Sequence, residues 1–281
     1  MTWLVGSATQ VWDLQVAPLC ALVCALACAV LGWFAPLLVA RLPEPKPREP
    51  AAPSPEHESA KDPELVTGVE PANETERKAF ARTLGPPPPK EPYVDIAALP
   101  HLGLKLAASS AVIGGLFGLV LGWTGALVYL VPLVPIGAVL LVIDWRTSLL
   151  PTRIIHPTYL LLAVLVPLAA LLDRDLDSLY QAGFGWLVVG AWFWIFWRVL
   201  GAWGFGDVRL SRVLGPALGY LGWSYMLTGL ALMVFVGGIG GAVLGIAYRS
   251  IRRRFPYGPF MLVGAAAAVV VGPWLAEGLG Y

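Results

Sequence analysis

Charged residues are scarce in this 281-residue chain, because Asp, Glu, Lys and Arg together make up only 13% of it. Soluble globular domains carry about twice that share. Hydrophobic residues reach 57%, and the mean hydropathy is +0.71. The net charge of +1 offers no strongly basic surface, so no nucleic-acid partner is expected. The composition therefore excludes a water-soluble enzyme and predicts a protein that crosses a membrane several times.

Cysteine is also rare. The three cysteines, Cys20, Cys24 and Cys28, recur every four residues inside one apolar run and so lie along one stripe of a helix. Consecutive helical turns are poorly placed for a disulfide, and three thiols lack the fourth ligand of a structural zinc site. A disulfide-stapled secreted domain is therefore excluded. The cysteines are predicted to be small apolar packing residues.

The few charges are concentrated in one stretch. Residues 41–100 contain 19 of the 37 formal charges, and residues 41–103 contain 14 of the 25 prolines. Such a stretch cannot bury enough apolar surface to fold independently, so 41–103 is predicted to be a disordered cytoplasmic linker. It divides the chain into a first transmembrane helix, residues 1–40, and a membrane core, residues 104–281.

Eight apolar runs are candidates for transmembrane segments. Because the runs are uninterrupted, they predict helices rather than the alternating strands of a membrane barrel. The sixth run is short and weak, so a tilted or re-entrant helix is an open alternative there. The runs are Leu14–Ala40, Leu104–Leu121, Ala126–Ile143, Ile154–Leu172, Ala182–Leu200, Val208–Leu221, Trp223–Tyr248 and Phe260–Leu275.

Lysine and arginine sort almost entirely to one side of an eight-helix topology. Arg174 falls on the opposite side, and the other 18 of the 19 basic residues share one face. The positive-inside rule makes that face cytoplasmic and both termini extracytoplasmic. A seven-helix count would put Arg252–Arg254 on the wrong side. The expected fold is an all-α polytopic membrane protein of about eight transmembrane helices.

Two acidic residues fall on the cytoplasmic side outside the linker: Asp144 ends the third run, and Asp207 precedes the sixth. Ionisable groups at such depth are costly and often mark functional sites. The alternative is that each aspartate pairs with a local arginine, Arg146 or Arg209, as an interfacial anchor. Two carboxyl groups brought together can instead share a proton, one acting as base on water while the other polarises a carbonyl.

The local sequence favours the catalytic interpretation. Gly204 and Gly206 precede Asp207 and permit a tight turn and a close backbone approach. The carboxylate then lies in the first turn of a helix, at the positive end of its dipole. Asp144 is followed by a short polar loop that ends at Pro151. No serine–histidine constellation or metal cluster competes with this pair, so no metal or other cofactor is expected.

Three stretches resemble the type IV prepilin peptidases, GxGD-type aspartic peptidases of bacterial inner membranes. They are Ile143-Asp144 with Leu150-Pro151, then Gly204-Phe205-Gly206-Asp207-Val208-Arg209-Leu210, and Phe255-Pro256-Tyr257-Gly258-Pro259-Phe260, which is similar to a Pro-Phe-Gly-Pro stretch of the family.

The resemblance covers about residues 104–275. It implies a multi-pass inner-membrane enzyme that removes the short basic leader from prepilin-like precursors (pilins, Tad pilins or pseudopilins) at the cytoplasmic face. The precursors and membrane lipid are the expected partners, and the oligomeric state stays open. It also implies a catalytic pair, Asp144 and Asp207, with supporting residues Gly204, Gly206, Arg209, Pro151, Gly258 and Pro259.

The chain departs from the family pattern in four places. Many members bind zinc through two CxxC pairs between their first two spans, where this chain has no cysteine. That absence excludes the zinc site and puts in doubt the S-adenosylmethionine-dependent N-methyltransferase activity of two-function members. Arg209 replaces the usual Lys, Thr152 stands where Asp or Asn is common, and His156 occupies a position that is usually apolar or hydroxylated.

Two other classes of function compete with a peptidase. A proton-coupled transporter would also use paired acids and glycine-interrupted helices, but its site would lie near the bilayer midplane rather than at one surface. A membrane scaffold could recruit partners through the proline-rich linker, but that function does not explain the motif Gly204-Phe205-Gly206-Asp207.

Overall fold

The computed structural model describes residues 6–43, 91–200, 204–247 and 256–278. Within these ranges the chain forms helices and no strand, which confirms the all-α prediction. The nine helices so described are α1 (Gly6–Ala40), α2 (Tyr93–Ala97), α3 (Leu102–Leu121), α4 (Leu127–Thr147), α5 (Thr152–Asp173), α6 (Leu176–Leu200), α7 (Phe205–Leu221), α8 (Trp223–Ala247) and α9 (Gly258–Gly278).

Among the described residues, six helices are long and apolar enough to cross a membrane: α1, α3, α4, α5, α6 and α8. The prediction of a multi-pass helical membrane protein is therefore confirmed. The other two predicted runs correspond to α7, which has 17 residues, and to α9, whose apolar stretch covers Gly258–Gly272. The count of eight spans and the positions of the termini stay predictions.

Helix α7 lies at the centre of the core, because it packs against α5, α6, α8 and α9. Most of its residues are buried, including the polar side chains of Asp207 and Ser211. A helix enclosed by other helices does not need the continuous apolar surface of one that faces lipid. This enclosure explains why the sixth run gives the weakest hydropathy signal, and it carries Asp207 into the interior.

Glycines hold α6 and α7 in close contact. A Cβ added to Gly185 would collide with the carbonyl oxygen of Gly215 and lie 3.1 Å from the Cα of Gly219. A Cβ added to Gly219 would lie 2.5 Å from the carbonyl oxygen of Gln181. Small residues four apart let two membrane helices approach backbone to backbone. The seam fixes α7 against α6 and thereby positions the first turn of α7.

Gly185→Ala is expected to lower the free energy of unfolding by about 1–3 kcal/mol, because the new methyl meets backbone that cannot rotate away. Thermal unfolding of the detergent-solubilised protein measures the effect. Gly183→Ala is the matched control, since nothing lies within 4 Å of a Cβ at that position of the same helix. Equal unfolding temperatures for the two variants would contradict the claim that the close contact between α6 and α7 stabilises the fold.

The three cysteines lie between α1 and α3. Cys20, Cys24 and Cys28 are at most 3% exposed. They face Gly114 and Gly118 of α3, where a Cβ on Gly118 would lie 2.8 Å from the carbonyl oxygen of Cys20. The prediction that the thiols are packing residues is confirmed.

Residues 91–103 differ from the predicted disordered linker. They form α2 and the turn into α3, which begins at Leu102. Tyr93 and Ile96 are buried, and α2 packs against α1. The Glu91 carboxylate accepts a hydrogen bond from Arg146 at 2.9 Å. These apolar anchors are too few to alter the composition of a 60-residue window, which is why the sequence pattern missed them.

Several predicted features lie outside the described residues. They include the proline-rich part of the linker, residues 44–90, together with Phe255 and the arginines Arg249 and Arg252–Arg254.

A polar clamp ties three helices together at the end of α7 that lies away from Asp207. The Asp173 carboxylate of α5 accepts hydrogen bonds from the Gly125 N–H at 2.6 Å and from the Tyr220 hydroxyl at 2.8 Å. The Tyr129 hydroxyl donates to the Ala217 carbonyl oxygen at 2.8 Å. The clamp holds the far end of α7, and the glycine seam holds one side of it. Together these contacts fix the position of its first turn, which carries Asp207.

Candidate active site

Asp144 lies in the last turn of α4, and its side chain is 4% exposed. Its Oδ2 accepts a hydrogen bond of 2.9 Å from the backbone N–H of Gly258, the first residue of α9. The carboxylate therefore caps the positive end of another helix, an arrangement that favours negative charge. A Cβ on Gly258 would lie only 2.7 Å from the same oxygen, so the contact requires glycine.

Asp207 is the third residue of α7 and is 7% exposed. Its Oδ2 accepts a hydrogen bond of 2.9 Å from the Gly204 N–H, while the Asp207 N–H donates to the Gly204 carbonyl oxygen at 3.1 Å. The bond from the Gly204 N–H is the half of a capping box that the third helical residue supplies, and it holds the carboxylate against its own helix start. The Gly204 backbone has φ −76°, so glycine serves here for close approach and not for an unusual backbone angle.

The structure brings the two aspartates together at one end of the bundle. Asp144 lies in the last turn of α4 and Asp207 in the first turn of α7, and both side chains are buried. Leu150 joins their surroundings, because a Cβ on Gly206 would lie 3.2 Å from the Leu150 Cβ and one on Gly258 would lie 3.5 Å from its Cδ1. Two buried carboxyl groups in the same surroundings are suited to sharing one proton.

Neither aspartate forms an ion pair with an arginine among the described residues. Arg146 instead pairs with Glu91 on the surface. The Arg209 guanidinium donates to the Thr152 hydroxyl and lies 4.7 Å from the centre of the Phe205 ring. The interfacial-anchor alternative, in which a local arginine neutralises each aspartate, therefore gains no support from the geometry.

Thr152 and Tyr159 hold Arg209, and the sequence did not predict these contacts. The Tyr159 hydroxyl donates to the Arg209 carbonyl oxygen at 2.7 Å. Thr152 was noticed only as a departure from the family pattern, and no sequence signal distinguished Tyr159. His156 stacks on the Tyr159 ring with centroids 5.9 Å apart. The aromatic ring that His156 contacts therefore lies on its own helix, α5.

Pro151 and Pro259 stand at helix starts. Pro151 is the N-cap of α5, and its carbonyl oxygen accepts the N–H of Ile154 at 3.1 Å. Pro259 follows Gly258 in the first turn of α9, where proline costs no hydrogen bond. Just before it, the Tyr257 hydroxyl donates to the Met233 carbonyl oxygen at 3.0 Å and so anchors the turn to α8. Sequence reasoning missed this anchor.

Within the part of the chain that the structure describes, no group of three or more His, Cys, Asp or Glu side chains could hold a metal ion.

The fold and the site define a polytopic helical membrane protein with a buried aspartate pair at one end of its bundle. The model of the type IV leader peptidase family matches residues 131–246, a stretch that contains both aspartates. The resemblance to the type IV leader peptidase family is thereby confirmed for residues 131–246.

Curated relatives agree with the family match. The prepilin leader peptidase/N-methyltransferase of Escherichia coli (strain K12) is 32% identical over 146 residues, which cover 50% of this chain and 57% of the relative. The protein of the same name from Pseudomonas aeruginosa is 28% identical over 137 residues, 46% of this chain and 44% of the relative. The chain thus spans about half the length of the curated relatives it matches. No solved structure matches it significantly.

Proposed function

We propose that this protein is an aspartic endopeptidase of the inner membrane that removes the short basic leader from prepilin-like precursors at the cytoplasmic face. The observation that carries the proposal is the pair of Asp144 and Asp207, which come from different helices, are both buried, and lie beside glycines that share Leu150 as a neighbour. The family match supports it, because residues 131–246 include both aspartates. Pilins, Tad pilins and pseudopilins are the proposed substrates.

The proposed mechanism uses one carboxylate and one carboxylic acid. The carboxylate takes a proton from water as the water oxygen attacks the scissile carbonyl carbon. The acid donates a hydrogen bond to the carbonyl oxygen and stabilises the tetrahedral intermediate. Breakage of the C–N bond then releases the new amine, which takes a proton from the pair.

The hydrogen bonds of the two aspartates leave room for this chemistry. In both residues the oxygen held by a backbone N–H is Oδ2. Among the described residues, Oδ1 of neither aspartate accepts a hydrogen bond, so it is the oxygen available to water or substrate. The fixed N–H donors orient each carboxyl group before the substrate arrives, which lowers the cost of reaching the transition state.

The position of the pair favours a peptidase over a proton-coupled transporter. Asp144 lies in the last turn of α4, and Asp207 lies in the first turn of α7. Transport sites are typically built near the bilayer midplane. A precursor with a basic leader and an apolar helix would present its cleavage site at the membrane surface, with the leader in water and the helix in lipid.

A reaction of the purified full chain with a prepilin-like precursor tests the proposal. We expect a single cut ahead of the apolar helix, with two product masses that sum to the precursor plus one water. Heat-treated protein is the control. An uncut precursor throughout the time course would contradict the peptidase proposal.

The same reaction with S-adenosylmethionine tests the bifunctional alternative, which the two-part names of the relatives favour. We expect an unmethylated product, because residues 41–103 contain no cysteine for a zinc site. Detection of a methyl group on the new N-terminus would contradict this expectation and would show that the protein is a bifunctional peptidase and methyltransferase.

A further inference from the structure

A groove of about 370 Å³ lies between the start of α3 and the end of α4. It opens at the same end of the bundle as Asp144 but on the outer face of α4, where Trp145 is 51% exposed. One wall includes Leu102 and Lys105, and the other includes Val142, Trp145 and Arg146. The turn after α2 closes one side, so the groove exists because residues 91–103 are folded. The proposed catalytic mechanism does not use it.

The groove combines apolar walls with a positive mouth. Lys105 is exposed, and its ammonium group has no partner among the described residues. Arg146 and Glu91 form a surface pair with side chains 40% and 36% exposed. Such exposed pairs are weak, so the Arg146 guanidinium is free to share a second anion. Lys105 and this neutral pair together leave one uncompensated positive charge.

The mouth lies at the boundary between membrane and water. Lys105 is in the first turn of α3, and Arg146 is in the last turn of α4. Both helices are long and apolar enough to span a bilayer. The exposed ring of Trp145 also suits this boundary, where amphipathic rings concentrate. The apolar part of the groove, with Leu102 and Val142, therefore faces the hydrocarbon side.

We propose that this groove binds one anionic phospholipid. The phosphate lies between the Lys105 ammonium and the Arg146 guanidinium, and an acyl chain follows the apolar wall along Leu141 and Val142. Charge complementarity selects this occupant, because the same cations would repel the basic leader of a precursor. The inference does not depend on the proposed peptidase activity.

Native mass spectrometry of the detergent-solubilised full chain tests the site. The probes are phosphatidylglycerol and phosphatidylcholine with identical acyl chains. We expect the anionic lipid to bind more tightly, and Lys105→Gln to weaken its binding about five-fold, the factor expected for one basic residue at a lipid surface. Arg153→Gln is the matched control, because Arg153 is exposed at the same end but does not line the groove.

Val142→Trp tests the apolar half of the groove without changing its charge. The larger side chain is expected to fill the space of the acyl chain and lower phosphatidylglycerol binding, with a wild-type unfolding temperature. Three results would overturn the proposal: equal losses for Lys105→Gln and Arg153→Gln, equal affinity for the two lipids, or unchanged binding by the folded tryptophan variant.

Discussion

Asp144→Asn and Asp207→Asn are each expected to lower the rate of precursor cleavage by about 10³-fold or more. An amide can neither take a proton from the attacking water nor give one to the leaving amine. The fold should survive, because the asparagine oxygen can still accept the hydrogen bond from the Gly258 or Gly204 N–H. Single-turnover cleavage with enzyme in excess measures the loss.

Asp177→Asn is the control for this pair of variants. Asp177 is exposed near the start of α6, at the opposite end of the bundle from the aspartate pair. Its substitution removes one negative charge and adds no change near the site, so the cleavage rate should equal that of the wild type. If either site variant cleaved as fast as Asp177→Asn, its aspartate would not belong to the catalytic pair.

Gly258→Ala is expected to reduce the catalytic rate about 10²-fold, the loss typical of a misplaced reacting group. The new methyl would lie 2.7 Å from Oδ2 of Asp144, where a carboxylate oxygen and a carbon cannot both stay. The carboxyl group must rotate or the start of α9 must move, and either change lengthens the hydrogen bond from the Gly258 N–H. Substrate affinity should change less than the rate, because the remaining contacts persist.

Gly238→Ala separates this positional effect from the general effect of adding a methyl to a helix. Gly238 lies in the neighbouring helix α8, and a Cβ there would meet nothing within 4 Å. We expect its cleavage rate to match the wild type and its unfolding temperature to stay equal or rise slightly. If the Gly258→Ala variant cleaved as fast as the Gly238→Ala variant, the hydrogen bond from the Gly258 N–H would not be what positions Asp144.

The aspartate pair could be predicted because its signals are local. Apolar runs locate the ends of α4 and α7, and the glycines before Asp207 indicate a tight turn within four residues. The hydrogen bond from Gly258 to Asp144 joins residues 114 positions apart, and no short window contains both. The family resemblance pointed to Gly258, but the contact that explains it is visible only in three dimensions.

The hydrogen bonds that hold Arg209 could not be predicted either, because they also join residues that are far apart in the sequence. Its partners Thr152 and Tyr159 lie on α5, more than one span earlier in the chain. A threonine and a tyrosine near a helix start are ordinary residues in sequence. Only the packing of α5 against α7 brings their hydroxyl groups to Arg209.

Hydropathy averages also hide elements that packing makes possible. Helix α7 gave the weakest run because it is enclosed, and Tyr93 with Ile96 escaped notice inside a polar window. In both cases the stabilising partner is another helix and not lipid. The sequence therefore predicted the helices that face the bilayer better than those held by their neighbours.

The rate of the double variant Asp144→Asn/Asp207→Asn, set beside the two single variants, tests the central claim most directly. Residues that act as one catalytic unit show strongly non-additive losses. We predict that the double variant cleaves precursor about as slowly as each single variant in single-turnover assays. A double variant slower by the product of the two single losses would contradict a shared-proton pair of Asp144 and Asp207.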